Sequence, residues 1–323
     1  MPGLELSSIV TAGRAAEAEA AHPQAEILAS AEELFAGAGK HDLVVVAAPN
    51  RHHASLALDA IGAGLSVVVD KPLAAGIEDG ERIAAAARAA DVVATVFHNR
   101  RWDGDFLTLR KLVSDGSLGD LHRLESRFER WRPEVDAERW REAGDPADAG
   151  GMLFDLGPHL IDQALELLGP ASSVYAEVRE LRAGARVDDD FFLALEHESG
   201  ARSHLWGTMM AAQLGPRFRA LGSRSAYVKW GLDVQEDALR DGARPRDPGF
   251  GEEPRDAWGR LGTDDASEPV PTEPGRYVEF YEQVGEAIRA GVSPPVSLEA
   301  GIATLRIIEA ARRSSEESTV VTL

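Results

Sequence analysis

Apolar residues are spaced in two different ways along this chain, and the change falls near residue 98. Before it, short runs are apolar throughout: LVVVAA at 43–48, Ser66–Val69 and Val92–Phe97. Runs of that kind suit strands covered on both faces, as in parallel sheets. Between them lie Ala-rich segments, His53–Gly64 and 78–90, that read as helices. Upstream, Leu4–Thr11 reads as a strand, Arg14–Ala21 as a helix and Ala25–Leu28 as a short strand. Residues 1–98 are therefore expected to form a doubly wound, Rossmann-type α/β domain.

After residue 98 the spacing changes. Residues 105–115 have helical periodicity, and Leu121–Trp131 alternates like a half-buried strand. A polar stretch at 132–149 reads as a loop. Strands are expected at 174–182, 190–197, 201–211, 217–222 and 225–232, and helices at 276–290 and 298–313. Residues 240–275, dense in Gly, Pro and acids, read as a long surface excursion. Residues 99–323 are thus expected to be an α+β domain with an open antiparallel sheet and helices on one face.

Composition narrows the classes. With 323 residues, 44% of them hydrophobic and 27% charged, the chain is long enough for two ordinary globular cores. There is no apolar run of about 18 residues, so no membrane span is expected. The first 20 residues lack the pattern of a secretory signal. Cysteine is absent, which removes disulfides and thiolate chemistry and is compatible with a cytoplasmic location. A formal charge of −20 repels nucleic-acid phosphates and keeps the protein soluble.

Three segments could carry chemistry. Asp70-Lys71-Pro72 directly follows an apolar strand, and in doubly wound sheets ligands bind at strand carboxyl ends. A lysine there can stabilise charge developing on a substrate oxygen, although a Lys-Pro at a strand end also serves as a plain turn. In Gly150–Asp162, Asp155, His159, Asp162 and Glu166 share one helical face, while Leu153, Leu156, Leu160, Ala164 and Leu168 occupy another. That could be simply an amphipathic helix. However, Gly150, Gly151 and Gly157 admit close approach by backbone or ligand. Pro158 predicts a helix start nearby, with His159 in its first turn as a proton carrier and Asp155 in reach. The third segment is Pro49-Asn50-Arg51-His52-His53, where Asn50 either caps the next helix or faces a cofactor. A metal site from His52, His53 and His159 is disfavoured.

Taken in order, APNRHH, VVVDKPLA, FHNRRWDGDF and GGMLFDLGPHLIDQ resemble the Gfo/Idh/MocA family of NAD(P)-dependent oxidoreductases, through nearly the whole chain. The wording FDLGPHLIDQ is similar to its inositol-dehydrogenase branch, the scyllo-inositol type in particular. The resemblance implies hydride transfer between nicotinamide and a carbinol carbon of a polyol or sugar. His159 would be the general base, Lys71 would hydrogen-bond the reacting oxygen, and Asp155 would fix substrate and imidazole. Asp70 stands where the family has Glu. Asn50, His53, Asp70, Pro72 and Asn99 are implied as cofactor-side neighbours, with Pro49 at the same strand end, and Arg100, Arg101 and Trp102 as cleft residues. A homo-oligomer, dimer or tetramer, is implied as well.

The chain departs from the family at its start, where the first strand and the G-x-G-x-x-G turn are missing. Either a start placed about thirty residues late, the favoured explanation, or a true truncation would account for this. Loss of that strand should leave its neighbours unpaired, and the chain as given should bind dinucleotide poorly. Thr11-Ala12-Gly13-Arg14 ends the expected second strand with a cation and no acid, which favours NADP over NAD. Two alternatives share the fold: an NAD-dependent glycoside hydrolase, and a non-catalytic sugar-binding relative.

Overall fold

The computed structural model describes residues 3–136 and 149–323, so most of the loop expected at 132–149 lies outside the described residues. Two compact units are present: Met1–Phe97 with Phe280–Ile302, and His98–Glu279 with Ala303–Leu323. A segment near the C-terminus thus joins the first unit, which the expected division at residue 98 did not include.

In the first unit β1 (Ser8–Val10) pairs in parallel with β2 (Glu26–Leu28). Separately, β3 (Leu43–Val46), β4 (Ser66–Asp70) and β5 (Ala94–Phe97) form a parallel sheet in that order. Helices α1 (Ala15–Ala21), α2 (Ala31–Ala36), α3 (His53–Gly62) and α4 (Ile77–Ala90) alternate with these strands. Two small sheets replace one continuous sheet, and β1 and β3 each have a single partner. Val10 and Val45 on those strands are 38% and 46% exposed, whereas Val67, Val68 and Val69 of the doubly paired β4 are fully buried. The sequence reading did not include α2. Its signal is a capping box: Ser30 Oγ accepts from Glu33 N at 3.3 Å, and the Glu33 carboxylate accepts from Ala29 N at 3.0 Å. The returning segment packs closely, with Thr95 Oγ1 donating to Val296 O at 2.6 Å.

The second unit holds one nine-stranded sheet. Its strands are β6 (Leu121–Glu129), β7 (Ala171–Arg179), β8 (Asp190–His197), β9 (Arg202–Thr208), β10 (Phe218–Gly222), β11 (Ala226–Lys229), β12 (Gly259–Gly262), β13 (Ser267–Val270) and β14 (Val321–Thr322). The order is β13-β12-β11-β10-β6-β9-β8-β7-β14. All neighbours are antiparallel except β6 and β9, which run parallel, so the sheet is mixed where a purely antiparallel one was expected. The chain leaves β6 and returns to β9 only after a helix and two strands, so no hairpin dictates their relative direction. The 240–275 excursion also differs from expectation, because it contributes β12 and β13 to the sheet edge.

The remaining helices are α5 (Gly104–Ser114), α6 (Met152–Leu168) and α7 (Gln235–Arg240) of this unit, and α8 (Tyr277–Ala290) and α9 (Leu298–Glu317), each divided between the two units. Helix α6 corrects a second expectation. It begins at Met152, Pro158 lies inside it, and His159 sits two turns along instead of in the first turn. The early start is possible because Asp188 satisfies two orphan donors. Its carbonyl accepts from Met152 N at 2.8 Å, and its carboxylate from Leu153 N at 2.6 Å. Gly151 has φ of 93°, and a Cβ there would lie 2.2 Å from Asp188 Oδ1. That glycine makes room for a capping carboxylate, not for a ligand.

Candidate active site

In the first unit the chemistry-bearing side chains sit at strand carboxyl ends. Asp70 closes β4 and its Oδ1 accepts from Lys71 N at 2.8 Å, which pins the start of the Asp-Lys-Pro turn. The Lys71–Pro72 peptide is cis. Lys71 is half-buried directly after the strand, and Pro49 and Asn50 occupy the equivalent turn after β3.

His53 has a different role from the one expected. It is 1% exposed, and its ring nitrogens contact Pro72 O at 2.8 Å and Ala48 O at 2.9 Å. Both partners are acceptors, so one contact is a donated bond in either neutral tautomer and both are in the imidazolium. The ring ties the β3 turn to the β4 turn, so His53 shapes the strand ends and leaves no ring nitrogen for a cofactor. Tyr281 was missed by the sequence reading. It stacks 5.4 Å from Phe97, and burial together with the charge of Asp70 pushes its pKa up to about 12. Its signal was weak, since helical residues of a distant segment do not announce which strand they return to.

Thr11 and Arg14 follow β1. Arg14 N donates to Thr11 Oγ1 at 3.3 Å, and the Arg14 side chain is exposed. These two suit the ribose end of a dinucleotide, with Arg14 able to meet a 2′-phosphate. For the pyrophosphate the fit fails, because no described residues form a glycine turn between a strand and a helix N-terminus.

In the second unit α6 places Asp155 and His159 one turn apart on one face. His159 is 5% exposed and its ring lies 6.2 Å from Phe128 of β6. Asp162 and Glu166, the other acids of that face, are structural. Asp162 receives Arg101 Nε and Nη2 at 2.8 and 2.6 Å, and Glu166 lies 2.9 Å from Arg101 Nη1. Gln163 Nε2 donates to Arg100 O at 2.8 Å. The motif helix therefore anchors the turn at Asn99–Trp102.

Of the residues expected to line a cleft, Arg100 and Trp102 are 5% and 7% exposed and belong to the interior. Arg100 pairs with Asp103 at 3.2 Å and Glu236 at 2.6 Å, and stacks 5.0 Å from Phe128. Arg101 is committed to Asp162 and Glu166. The cause is charge balance: a buried guanidinium must be matched by carboxylates. Asn99 is half-buried at the start of this turn. Deeper in, Arg217 also lies over the Phe128 ring, 4.1 Å from its centroid, and donates to Gln163 Oε1 at 2.7 Å. Burial pushes its pKa down to about 10, against the attraction of Asp105 and Asp103. Burial likewise raises Asp103 to about 8, and Asp233 to about 6 with Asp105 adding to the effect.

Arg130, just beyond β6, is a residue the sequence reading passed over. Its charge interacts with Asp155, and its signal was the alternation Phe128, Arg130, Arg132. Among the described residues no group of three or more His, Asp or Glu is placed to hold a metal.

Comparison with known proteins adds to this geometry. Residues 1–98 match the oxidoreductase-family NAD-binding Rossmann fold, and residues 110–323 its C-terminal alpha/beta domain, both of the Gfo/Idh/MocA set. The chain belongs to the Gfo/Idh/MocA oxidoreductase family. Among its relatives is scyllo-inositol 2-dehydrogenase (NADP(+)) of Bacillus subtilis, 39% identical over 323 residues, covering 99% of this chain and 88% of that protein. D-apiose dehydrogenase of Paraburkholderia graminis is 26% identical over 97% of this chain and 79% of its own length. The solved structure of the oxidoreductase yvaA from Bacillus subtilis superposes with a TM-score of 0.92 at 37% identity, covering 100% of this chain and 93% of that one. The Gfo/Idh/MocA chain is therefore an oxidoreductase with a Rossmann-type domain and an α/β domain built on a large mixed sheet.

Proposed function

We propose that this protein is an NAD(P)-dependent dehydrogenase of polyols or sugars, oxidising a secondary alcohol of an inositol-like substrate, with NADP preferred. The observation that carries the reading is the full-length relationship to an NADP-dependent scyllo-inositol dehydrogenase. Keeping Lys71 after β4, with Asp155 and His159 one turn apart on α6, supports it.

A bound nicotinamide would supply the hydride acceptor. His159 takes the proton of the reacting hydroxyl, which an imidazole can do near neutral pH. Lys71 donates a hydrogen bond to the same oxygen and lowers the cost of its developing charge. Asp155, a turn before His159, orients the substrate and the ring. Asn50, Asp70, Pro72 and Asn99 would neighbour the cofactor, and Arg14 would meet a 2′-phosphate.

A homo-oligomer fits the outer face of the sheet, where Phe192, His204 and Trp206 form a half-buried aromatic row with Arg127 stacked 4.0 Å over Trp206. No helix is long and apolar enough to cross a membrane, and a cytoplasmic location is proposed on the absence of cysteine.

The test is a spectrophotometric screen of inositols, aldoses and sugar phosphates with NADP and NAD separately. Net NADPH accumulation with a polyol is expected. Sugar release without net reduction would instead assign the glycoside hydrolase alternative, and no response to any polyol or sugar would end the proposal.

A further inference from the structure

Six arginines among the described residues are not fully exposed: Arg100, Arg101, Arg127, Arg130, Arg182 and Arg217. Five of them have a carboxylate oxygen close by. Arg100 meets Glu236 at 2.6 Å, Arg101 Asp162 at 2.6 Å, Arg127 Glu125 at 3.0 Å, Arg182 Asp189 at 2.9 Å and Arg217 Asp105 at 3.6 Å. Among the described residues, no carboxylate stands within ion-pair distance of Arg130 and no side-chain hydrogen bond holds it. In a chain with 54 acidic and 34 basic side chains, an unmatched half-buried guanidinium departs from the rule the other five obey.

Its position gives the departure meaning. Along β6 the even positions Leu124, Ser126 and Phe128 turn to the buried side, and Phe128 reaches the ring of His159. The backbone stays tied to the end of β9, with Arg130 N donating to Thr208 O at 2.9 Å and Arg132 N to Met209 O at 2.8 Å. Two residues along a strand advance about 6.6 Å, close to the roughly 6 Å of four residues along a helix. Arg217 bonds both Ser126 of β6 and Gln163 of α6, and Phe128 meets His159, so two residues forward on the strand go with four back on the helix. The next such step runs from Phe128 to Arg130 and from His159 to Asp155. The charge interactions agree, since Arg130 is affected by Asp155, Glu236, Arg100 and Arg132. Burial and then the charge of Arg132 lower its pKa, with Asp155 opposing. Glu236 is already held by Arg100, and Arg132 is exposed, with its backbone N–H on Met209 and its carbonyl on Arg182.

We infer that Arg130 and Arg132 form a subsite for an oxyanion, a carboxylate or phosphate carried by the polyol or sugar whose hydroxyl lies at Asp155 and His159. The inference rests on the proposed dehydrogenase reading for the identity of the sugar, but not for the binding of charge. A guanidinium accommodates either oxyanion with two parallel N–H bonds, and partial burial strengthens the attraction. The substrate class is thus an acidic sugar, such as a uronate or a sugar phosphate.

Calorimetric titration of the full chain with D-glucose, D-glucuronate and D-glucose 6-phosphate, without cofactor, tests this independently of turnover. At least one anionic sugar is expected to bind ten times more tightly than glucose, and the better one names the oxyanion. Arg130→Gln should bring that ratio to threefold or less, and Arg130→Lys should restore most of it. Equal affinity for neutral and charged sugars, discrimination that survives Arg130→Gln and Arg132→Gln together, or no binding of any sugar would each overturn the subsite. Oxidation of neutral inositols without charge preference would overturn it while leaving the dehydrogenase reading intact. Charge-selective binding without NADPH formation would do the reverse.

Discussion

The two units solve the problem of presenting polar side chains in opposite ways. In the first, the interior is almost wholly Val, Ala, Leu and Ile, with Val67, Val68, Val69, Ala57 and Ala60 at 0% exposure. Its functional candidates stand at strand ends, where the backbone turn places Asp70 and Lys71 half-buried just beyond that apolar interior. In the second, the same task falls to a helix seated in a charged interior, where Arg100, Arg217, Asp103, Asp105 and Asp233 are all buried. Strand-end chemistry tolerates a plain core, whereas helix-borne chemistry here depends on a matched set of internal charges.

The sharpest way to break this contrast is to remove one internal charge. Arg217→Ala should destabilise the second unit by about 3–5 kcal/mol, because it strands Asp105 and opens space beside Phe128. Urea unfolding monitored by tryptophan fluorescence reads the loss, and a change under 1 kcal/mol would show that the charges are not matched as a set.

The next effect is one of pH. Asp233 rises from 3.8 to about 6 because burial disfavours its charged form. A carboxyl with a raised folded pKa contributes stability that is complete below its unfolded value and lost as pH rises through its folded value. Between pH 4 and 7 this loss amounts to about 2.4 kcal/mol. Chemical denaturation across that range should slope downward for the wild type and more gently for Asp233→Asn. Identical slopes would contradict the assignment.

The smallest effect belongs to the first unit. Arg88 and Glu299 pair at 3.2 Å with both side chains about two-thirds exposed. Arg88→Ala should cost no more than about 1 kcal/mol, measured by thermal unfolding in low and high salt. A loss rivalling that of Arg217→Ala would erase the distinction between the units.

Much of this was legible from spacing alone. Continuous apolar runs located β3, β4 and β5, and β4 and β5 are buried on both faces, which leaves few polar positions to confuse the reading. Other features depend on residues far apart in sequence. The start of α6 was misplaced because its cap, Asp188, lies 35 residues beyond Leu153. His53 was assigned to the cofactor because nothing local shows that Pro72 O and Ala48 O take its ring. Arg100 and Arg101 looked like cleft residues for the same reason, as their carboxylates are on α6, α7 and α5 or its cap. β12 and β13 hid in a Gly- and Pro-rich stretch whose pairing is set by the edge they extend.

The central claim is that Lys71 and His159 act on one hydroxyl during hydride transfer to the nicotinamide. Steady-state NADPH formation by the wild type, Lys71→Ala and His159→Ala, with the best polyol from the screen, tests it most directly. Each substitution is expected to lower kcat by about a hundredfold or more, the loss that follows when acid–base or electrostatic help is removed. Turnover near the wild-type rate in both variants would contradict it.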